Sequence, residues 1–212
     1  MKIALINGSP KVKDSASNAI LQELKKFLGD EPIIIQEHFK SPEIKEEQME
    51  SILDCEAIVF AFPLYVDGIP SHLLHCLVRF QEYIDKIGKK EIVVYTLVNC
   101  GFYEGKHNAL AIDMMKHWTK KSGLKWGQGI GIGAGGMIPG LGNVPAGHGP
   151  KKNLGTALKI ISDNIVNSSE GETLFITANF PRFAYKLAAE FGWRKAIKAN
   201  GLRRKDLFRK KV

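Results

Sequence analysis

The stretch Ile3-Ala4-Leu5-Ile6-Asn7-Gly8-Ser9-Pro10-Lys11-Val12-Lys13-Asp14-Ser15-Ala16-Ser17-Asn18 changes character twice, and the two changes decide the fold. Ile3 to Ile6 is a short continuous apolar run, as expected of a strand covered by helices on both faces. It stops at Asn7-Gly8-Ser9-Pro10. From Ser17 the period lengthens: Ile20, Leu24, Phe27 and Leu28 fall on one face at helical spacing, and Gly29 supplies a stop. A strand, a polar loop and a helix therefore fill the first 29 residues.

The same unit recurs downstream. Ile33 to Ile35 predicts a second strand, and Glu43 to Leu53 an acidic surface helix begun by Pro42. Ala57 to Phe62 is the next buried strand. It stops at Pro63-Leu64-Tyr65-Val66-Asp67-Gly68-Ile69-Pro70, after which Leu73, Leu77, Phe80, Ile84 and Ile87 form a helical stripe. Ile92 to Val98 ends in Asn99-Cys100-Gly101-Phe102, and a helix over 106–121 follows with Leu110, Met114 and Trp118 inward and Gly123 past its end. Trp126 to Ile132 is a fifth strand, despite its glycines. This alternation predicts an α/β three-layer sandwich, a five-stranded parallel sheet with helices on both faces.

Residues 133–150 break the rhythm with seven glycines and with Pro139, Pro145 and Pro150, and read as a long rim loop. Leu154, Leu158, Ile161 and Ile165 mark a further helix. Thr173 to Ile176 has the composition of a short strand, and Pro181 opens a last helix through about Asn200, closed by Gly201. Phe180, Phe183, Tyr185, Phe191 and Trp193 are expected to form its packing stripe.

At 212 residues, 44% apolar and 25% charged, the chain suits one well-buried core with an appendage. No apolar stretch approaches the roughly 20 residues that span a bilayer. With Ile3 opening a strand directly, the expectation is a cytoplasmic protein without an integral membrane segment. Cys55, Cys76 and Cys100 are read as reduced thiols, and the histidines show no ligand spacing, so no metal site is expected. The net charge of +8 is unevenly placed: residues 182–212 carry eleven Lys/Arg against two Asp/Glu, +9, which leaves the preceding chain at −1. The basic tail reads as a solvated helix face rather than a nucleic-acid surface.

In an open α/β sheet the ligand lies outside the carboxyl ends of the strands. At the first such end Ser9, Lys11, Ser15, Ser17 and Asn18 precede a helix N-terminus; hydroxyls, an ammonium and free N–H groups there suit a phosphate monoester. Helix capping alone would need only Ser15 or Ser17. At the second, Pro63, Leu64 and Tyr65 offer a seat for a flat ring. At the third, Asn99, Cys100, Gly101, Phe102, Tyr103 and Glu104 offer amides, a ring and a carboxylate beside a glycine. One phosphate loop and two ring loops describe a mononucleotide pocket. Gly131-Ile132-Gly133-Ala134-Gly135-Gly136 matches a dinucleotide fingerprint in letters, but Pro139, Gly140, Gly142 and Pro145 forbid the helix that motif must open.

Gly8-Ser9-Pro10-Lys11 with Ser15 and Ser17, Pro63-Leu64-Tyr65 running into Gly68-Ile69-Pro70, and Asn99-Cys100-Gly101-Phe102 resemble the NAD(P)H-dependent FMN reductase family of flavodoxin-like proteins over roughly residues 1–135. The resemblance implies a flavodoxin-like FMN-binding domain over 1–170, with 171–212 as a basic helical C-terminal extension packed on it. It implies that Ser9, Lys11, Ser15, Ser17 and Asn18 hold the FMN phosphate. Pro63, Leu64, Tyr65 and Val66 on one side, and Asn99, Cys100, Gly101, Phe102 and Glu104 on the other, would border the isoalloxazine. Position 11 is often arginine in that family; lysine keeps the charge but loses the bidentate fork. The implied activity is oxidoreduction, with NADPH or NADH as donor and a small-molecule acceptor such as a quinone, a nitro or azo compound, or a flavin, carried out by a homodimer or other homo-oligomer. No catalytic acid or base is required, since the redox chemistry is the cofactor's. Two other functions compete with this one. An FMN electron carrier would gain from an acidic docking surface that this chain lacks. A binding module would use Arg203-Arg204-Lys205 and Arg209-Lys210-Lys211 against a polyanion.

Overall fold

The computed structural model describes residues 1–88 and 91–208, so Arg209, Lys210 and Lys211 lie outside the described residues. Six strands, β1 (Lys2–Asn7), β2 (Ile33–His38), β3 (Ala57–Pro63), β4 (Val93–Asn99), β5 (Lys125–Ile132) and β6 (Leu174–Ile176), form one sheet in the order β2-β1-β3-β4-β5-β6. Every pairing is parallel. The sheet thus has six strands rather than the five expected. Leu174–Ile176 pairs with Ile130, Gly131 and Ile132, although three residues after a polar turn carry almost no periodic signal.

Helices α1 (Ala16–Leu28), α2 (Glu46–Leu53), α3 (Ser71–Ile87), α4 (Ala109–Lys121) and α5 (Lys152–Val166) cover both faces. Alternation along each strand sorts its side chains into two cores. Ile3 and Leu5 of β1, Val59 and Ala61 of β3, and Tyr95 and Leu97 of β4 pack with Ile20, Leu24, Leu158 and Ile161 of α1 and α5. Ala4, Ile6, Ile58, Phe60, Val94 and Val98 face the other way, against Ile52, Leu73, Leu77, Phe80, Ile112 and Trp118 of α2, α3 and α4. Burial of both strand faces explains why β1, β3 and β4 read as continuous apolar runs.

Some boundaries and faces differ from expectation. Helix α2 begins at Glu46, not Glu43, and the segment before α4 is a 3-10 turn over Gly105–Asn108. On α4 the buried residues are Ala111, Ile112, Met115, Trp118 and Thr119, whereas Leu110 is 57% exposed. Of the three residues expected inward, Trp118 is buried and Met114 packs half-buried on the core, and only Leu110 lies outside the stripe, whose centre is shifted toward Ala111 and Thr119, which carry little hydrophobic weight. Ile87, at the end of α3, is likewise exposed. The 133–150 stretch is not wholly irregular, since it contains 3-10 turns over Gly135–Leu141 and Gly149–Lys151. The glycines of β5 are packing requirements: a Cβ at Gly127 would lie 2.4 Å from the Tyr95 ring, and one at Gly129 2.5 Å from Ile112.

The chain divides into two compact units, Met1–Asn179 and Phe180–Val212. The first holds all six strands and both cores. The second contains α6 (Arg182–Ala199) and a 3-10 turn over Arg204–Phe208. Helix α6 buries none of its residues, and Phe183, Phe191 and Trp193 are exposed, against the packing stripe expected. Among the described residues, no helix is long and apolar enough to cross a membrane.

Candidate functional site

The loop between β1 and α1 is fixed by its own polar groups. Ser15 is the N-cap of α1, and its Oγ accepts from the Asn18 N–H at 3.3 Å. The N–H groups of Ala16 and Ser17, in the first turn, have no place in the helix's own ladder and remain available to an anion. Ser9 Oγ accepts from the Lys11 N–H at 3.3 Å, and Ser17 Oγ accepts from Asn99 Nδ2 at 2.8 Å. Ser9, Ser15 and Ser17 are buried, while Lys11 and Asn18 are exposed. A hydroxyl that accepts still has its own proton to give. The loop therefore combines three hydroxyl donors, a helix N-terminus and the Lys11 ammonium, a donor set that fits a phosphate monoester.

Asn99 joins this loop to the other two. It is buried at the end of β4, and its amide donates to Phe62 O at 3.0 Å as well as to Ser17 Oγ. Its carbonyl accepts from the Leu64 N–H at 2.8 Å. The three strand ends singled out in the sequence are thus neighbours bonded through one side chain and its backbone.

Beyond Leu64 the chain reverses at Tyr65-Val66-Asp67-Gly68, where Tyr65 and Gly68 exchange N–H to carbonyl bonds of 3.1 and 3.0 Å. Val66 and Asp67 both have positive φ, 48° and 58°, the pattern of a type I′ turn. A β-branched residue rarely adopts that conformation, and Val66 is also fully exposed. Pro63 and Leu64 are half-buried and Tyr65 is exposed, so the turn presents apolar surface at the rim.

After Asn99 the structure separates the expected residues. Cys100 is buried, its N–H bonded to Ile132 O at 3.0 Å. Burial pushes its thiol above the usual range, more than the contacts to Phe102 and Asn108 lower it. It is a packed thiol beneath the loop. Gly101 faces open space where a Cβ would stand, and Phe102 is exposed, its ring 4.4 Å from that of His107. Glu104 lies 3.7 Å from His107 Nε2.

Four residues that hold these loops carry no local signal of that role. Asn108 is fully buried, and its amide donates to Gly105 O at 2.9 Å, Ile132 O at 3.3 Å and Cys100 Sγ at 3.4 Å. His38 and His72 each contact a carbonyl of the β1–α1 loop. At Gly133 a Cβ would lie 2.1 Å from Tyr103 O, so the backbones of the two loops touch directly. An open cleft, lined in part by Ile132, Met137, Leu141, Lys151 and Ile176, lies at the β5 and β6 ends. None of the fourteen candidate binding residues lines it, and its one charge is engaged: Lys151 Nζ is 2.5 Å from Glu23 Oε1.

No family model and no curated protein matches this sequence. Solved structures do. A flavone reductase superposes with a TM-score of 0.61 at 15% identity, over 81% of this chain and 66% of its own. A flavodoxin, WrbA-like protein from Agrobacterium tumefaciens gives 0.54 at 11% identity, over 79% and 95%. An FMN-dependent NADH-azoreductase from Bacillus anthracis, solved in complex with FMN, gives 0.51 at 14% identity, over 79% and 100%. Parallel strands in the order β2-β1-β3-β4-β5-β6 between two layers of helices give this chain the flavodoxin-like fold.

Proposed function

We propose that the protein is an FMN-dependent NAD(P)H oxidoreductase that reduces a small-molecule acceptor, such as a quinone, a nitro or azo compound, or a free flavin. The observation that carries this reading is the Asn99 side chain, which bonds Ser17 in the hydroxyl-rich loop and Phe62 at the β3 end. The loops to which this reading assigns the phosphate and the ring are thereby neighbours. The structural neighbours support it: one is described as a flavone reductase and another as an FMN-dependent NADH-azoreductase.

In this reading Ser9, Ser15 and Ser17, the first-turn N–H groups of α1 and the Lys11 ammonium hold the phosphate. Pro63 to Val66 and Asn99 to Phe102 border the ring, with Gly101 leaving room for close approach. FMN bound there would supply hydride and electron transfer between nicotinamide and acceptor, and the chain's own part is to bind, orient and exclude water.

The test is the visible spectrum of the purified protein after incubation with FMN and gel filtration. Retained flavin absorption, bleached anaerobically by NADPH or NADH, is the expected result. A colourless protein would overturn the cofactor assignment. A yellow protein that neither nicotinamide bleaches would overturn the reductase and favour a flavin-bearing carrier.

A further inference from the structure

The β1–α1 loop contains carbonyls as well as donors, and a carbonyl turned toward a bound anion opposes it as strongly as an N–H favours it. Two imidazoles hold two of these carbonyls. His38, the last residue of β2, places Nε2 at 2.7 Å from Ser9 O. His72, in the first turn of α3, places Nε2 at 3.2 Å from Gly8 O. A carbonyl can only accept, so each imidazole donates through Nε2. The two histidines come from different elements and converge on consecutive carbonyls of the one loop.

The remaining atoms of these two residues are committed as well. Gly8 N–H donates to Ala61 O at 2.8 Å, and a Cβ on Gly8 would sit 2.6 Å from Leu73 Cδ2, so its backbone is pressed against the core. Ser9 N–H donates to Asn7 Oδ1 at 3.1 Å, Ser9 O takes the His38 proton, and Ser9 Oγ accepts from Lys11 N–H. The hydroxyl proton is what Ser9 has left to give. Pro10 follows with no N–H at all.

We propose that His38 and His72 are positioning residues of the anion loop: their Nε2–H groups hold the Gly8 and Ser9 carbonyls, so that these two acceptors do not oppose the phosphate of a bound mononucleotide. This rests on the flavin reading above and deepens it. Neither imidazole need touch the ligand, and the effect is confined to ligands that carry a phosphate.

The test compares affinities for FMN and for riboflavin, which has the ring but no phosphate, by quenching of flavin fluorescence in the full-length protein. His38→Leu and His72→Leu should each raise the FMN dissociation constant about tenfold, one hydrogen bond's worth, and leave riboflavin binding unchanged. His38→Gln and His72→Gln keep an amide donor near the Nε2 position and should restore most of the FMN affinity. Retained riboflavin binding shows that the leucine variants are folded. Leucine variants with wild-type FMN affinity would overturn the proposal, as would equal losses for both flavins or failure of glutamine to rescue. A wild-type protein that binds neither flavin would overturn the flavin reading and this proposal with it, whereas one that binds FMN alongside unaffected variants overturns this proposal alone.

Discussion

The side-chain amide of Asn99 donates to the hydroxyl of Ser17 at 2.8 Å, a bond between residues 82 positions apart that ties the end of β4 to the start of α1. The same amide serves Phe62 O. Replacing Asn99 by Leu removes both donors and leaves two acceptors without partners in a buried setting, at a cost of about 2–4 kcal/mol. The expected result is a lower urea midpoint at unchanged slope, together with weaker FMN binding. A midpoint equal to that of the wild type would show that the tie contributes nothing to stability.

Two glycines of the site should answer oppositely to alanine. At Gly133 a Cβ would lie 2.1 Å from Tyr103 O and 2.7 Å from Gly105 N, both backbone atoms that cannot rotate away. Gly133→Ala is expected to cost about 3 kcal/mol and lower the melting temperature by roughly 10 °C. At Gly101 nothing lies within 4 Å of the added methyl. Gly101→Ala should leave the melting temperature within about 1 °C of wild type while reducing flavin affinity, because in the proposed flavin site the new methyl would take up space needed by the ring. Thermal scans of both variants, with flavin titration of the second, decide the matter.

Val66 stores strain. Its φ of 48° is the first of two positive values in the reversal, and asparagine adopts that region far more readily than a β-branched side chain. Val66→Asn is therefore expected to stabilise the fold by about 1 kcal/mol, read as a raised urea midpoint. A loss of stability would mean that the exposed isopropyl group makes a contribution outweighing the backbone cost.

Glu23 predicts a pH dependence. Desolvation pushes its carboxyl up, but hydrogen bonds from Lys151 and Lys26 and their charges outweigh that and leave its pKa below the ordinary 4.5. A pKa depressed in the folded state gives stabilisation that is complete above the unfolded value and is lost as pH falls through the folded one. Near neutral pH, Glu23→Gln leaves the buried Lys151 ammonium without its counter-charge, at an expected cost of about 3 kcal/mol. The gap between variant and wild type should close as the pH falls below 4.5. Urea midpoints of the two proteins along a descending pH series measure it, and a gap constant with pH would rule out Glu23 as the titrating group.

Much of the fold was legible because β1, β3 and β4 are buried on both faces and carry unbroken apolar runs between helices of clear period. Strand β6 was missed from the sheet because its pairing depends on Ile130 to Ile132, more than 40 residues earlier in the chain, and on nothing local. The glycines of β5 counted against the strand that was read there, yet they answer to the Tyr95 ring and Ile112, which only the packed sheet reveals. In the site, hydroxyls before a helix and glycines after strands are local signals, and those loops do come together. Cys100 stood beside them in sequence yet points to no open space, being buried under the loop it belongs to. Asn108 fell without remark inside the helix expected over 106–121; its bonds to Gly105, Ile132 and Cys100 are set by tertiary structure. His38 and His72 were read only as lacking metal-ligand spacing, since their partners are backbone carbonyls 29 and 64 positions away.

Residues 171–176 also settle how the sheet ends. Gly171 N–H bonds Gly127 O, Gln128 Nε2 bonds Glu172 O, and β6 then pairs with the last three residues of β5. The eight-residue β5 is thus sealed along its outer margin, and what faces outward in its place is a strip three residues long. A stray strand from another molecule would find too little backbone there to zip onto, so this border of the sheet resists fibrous growth without needing a charge or a proline to block it.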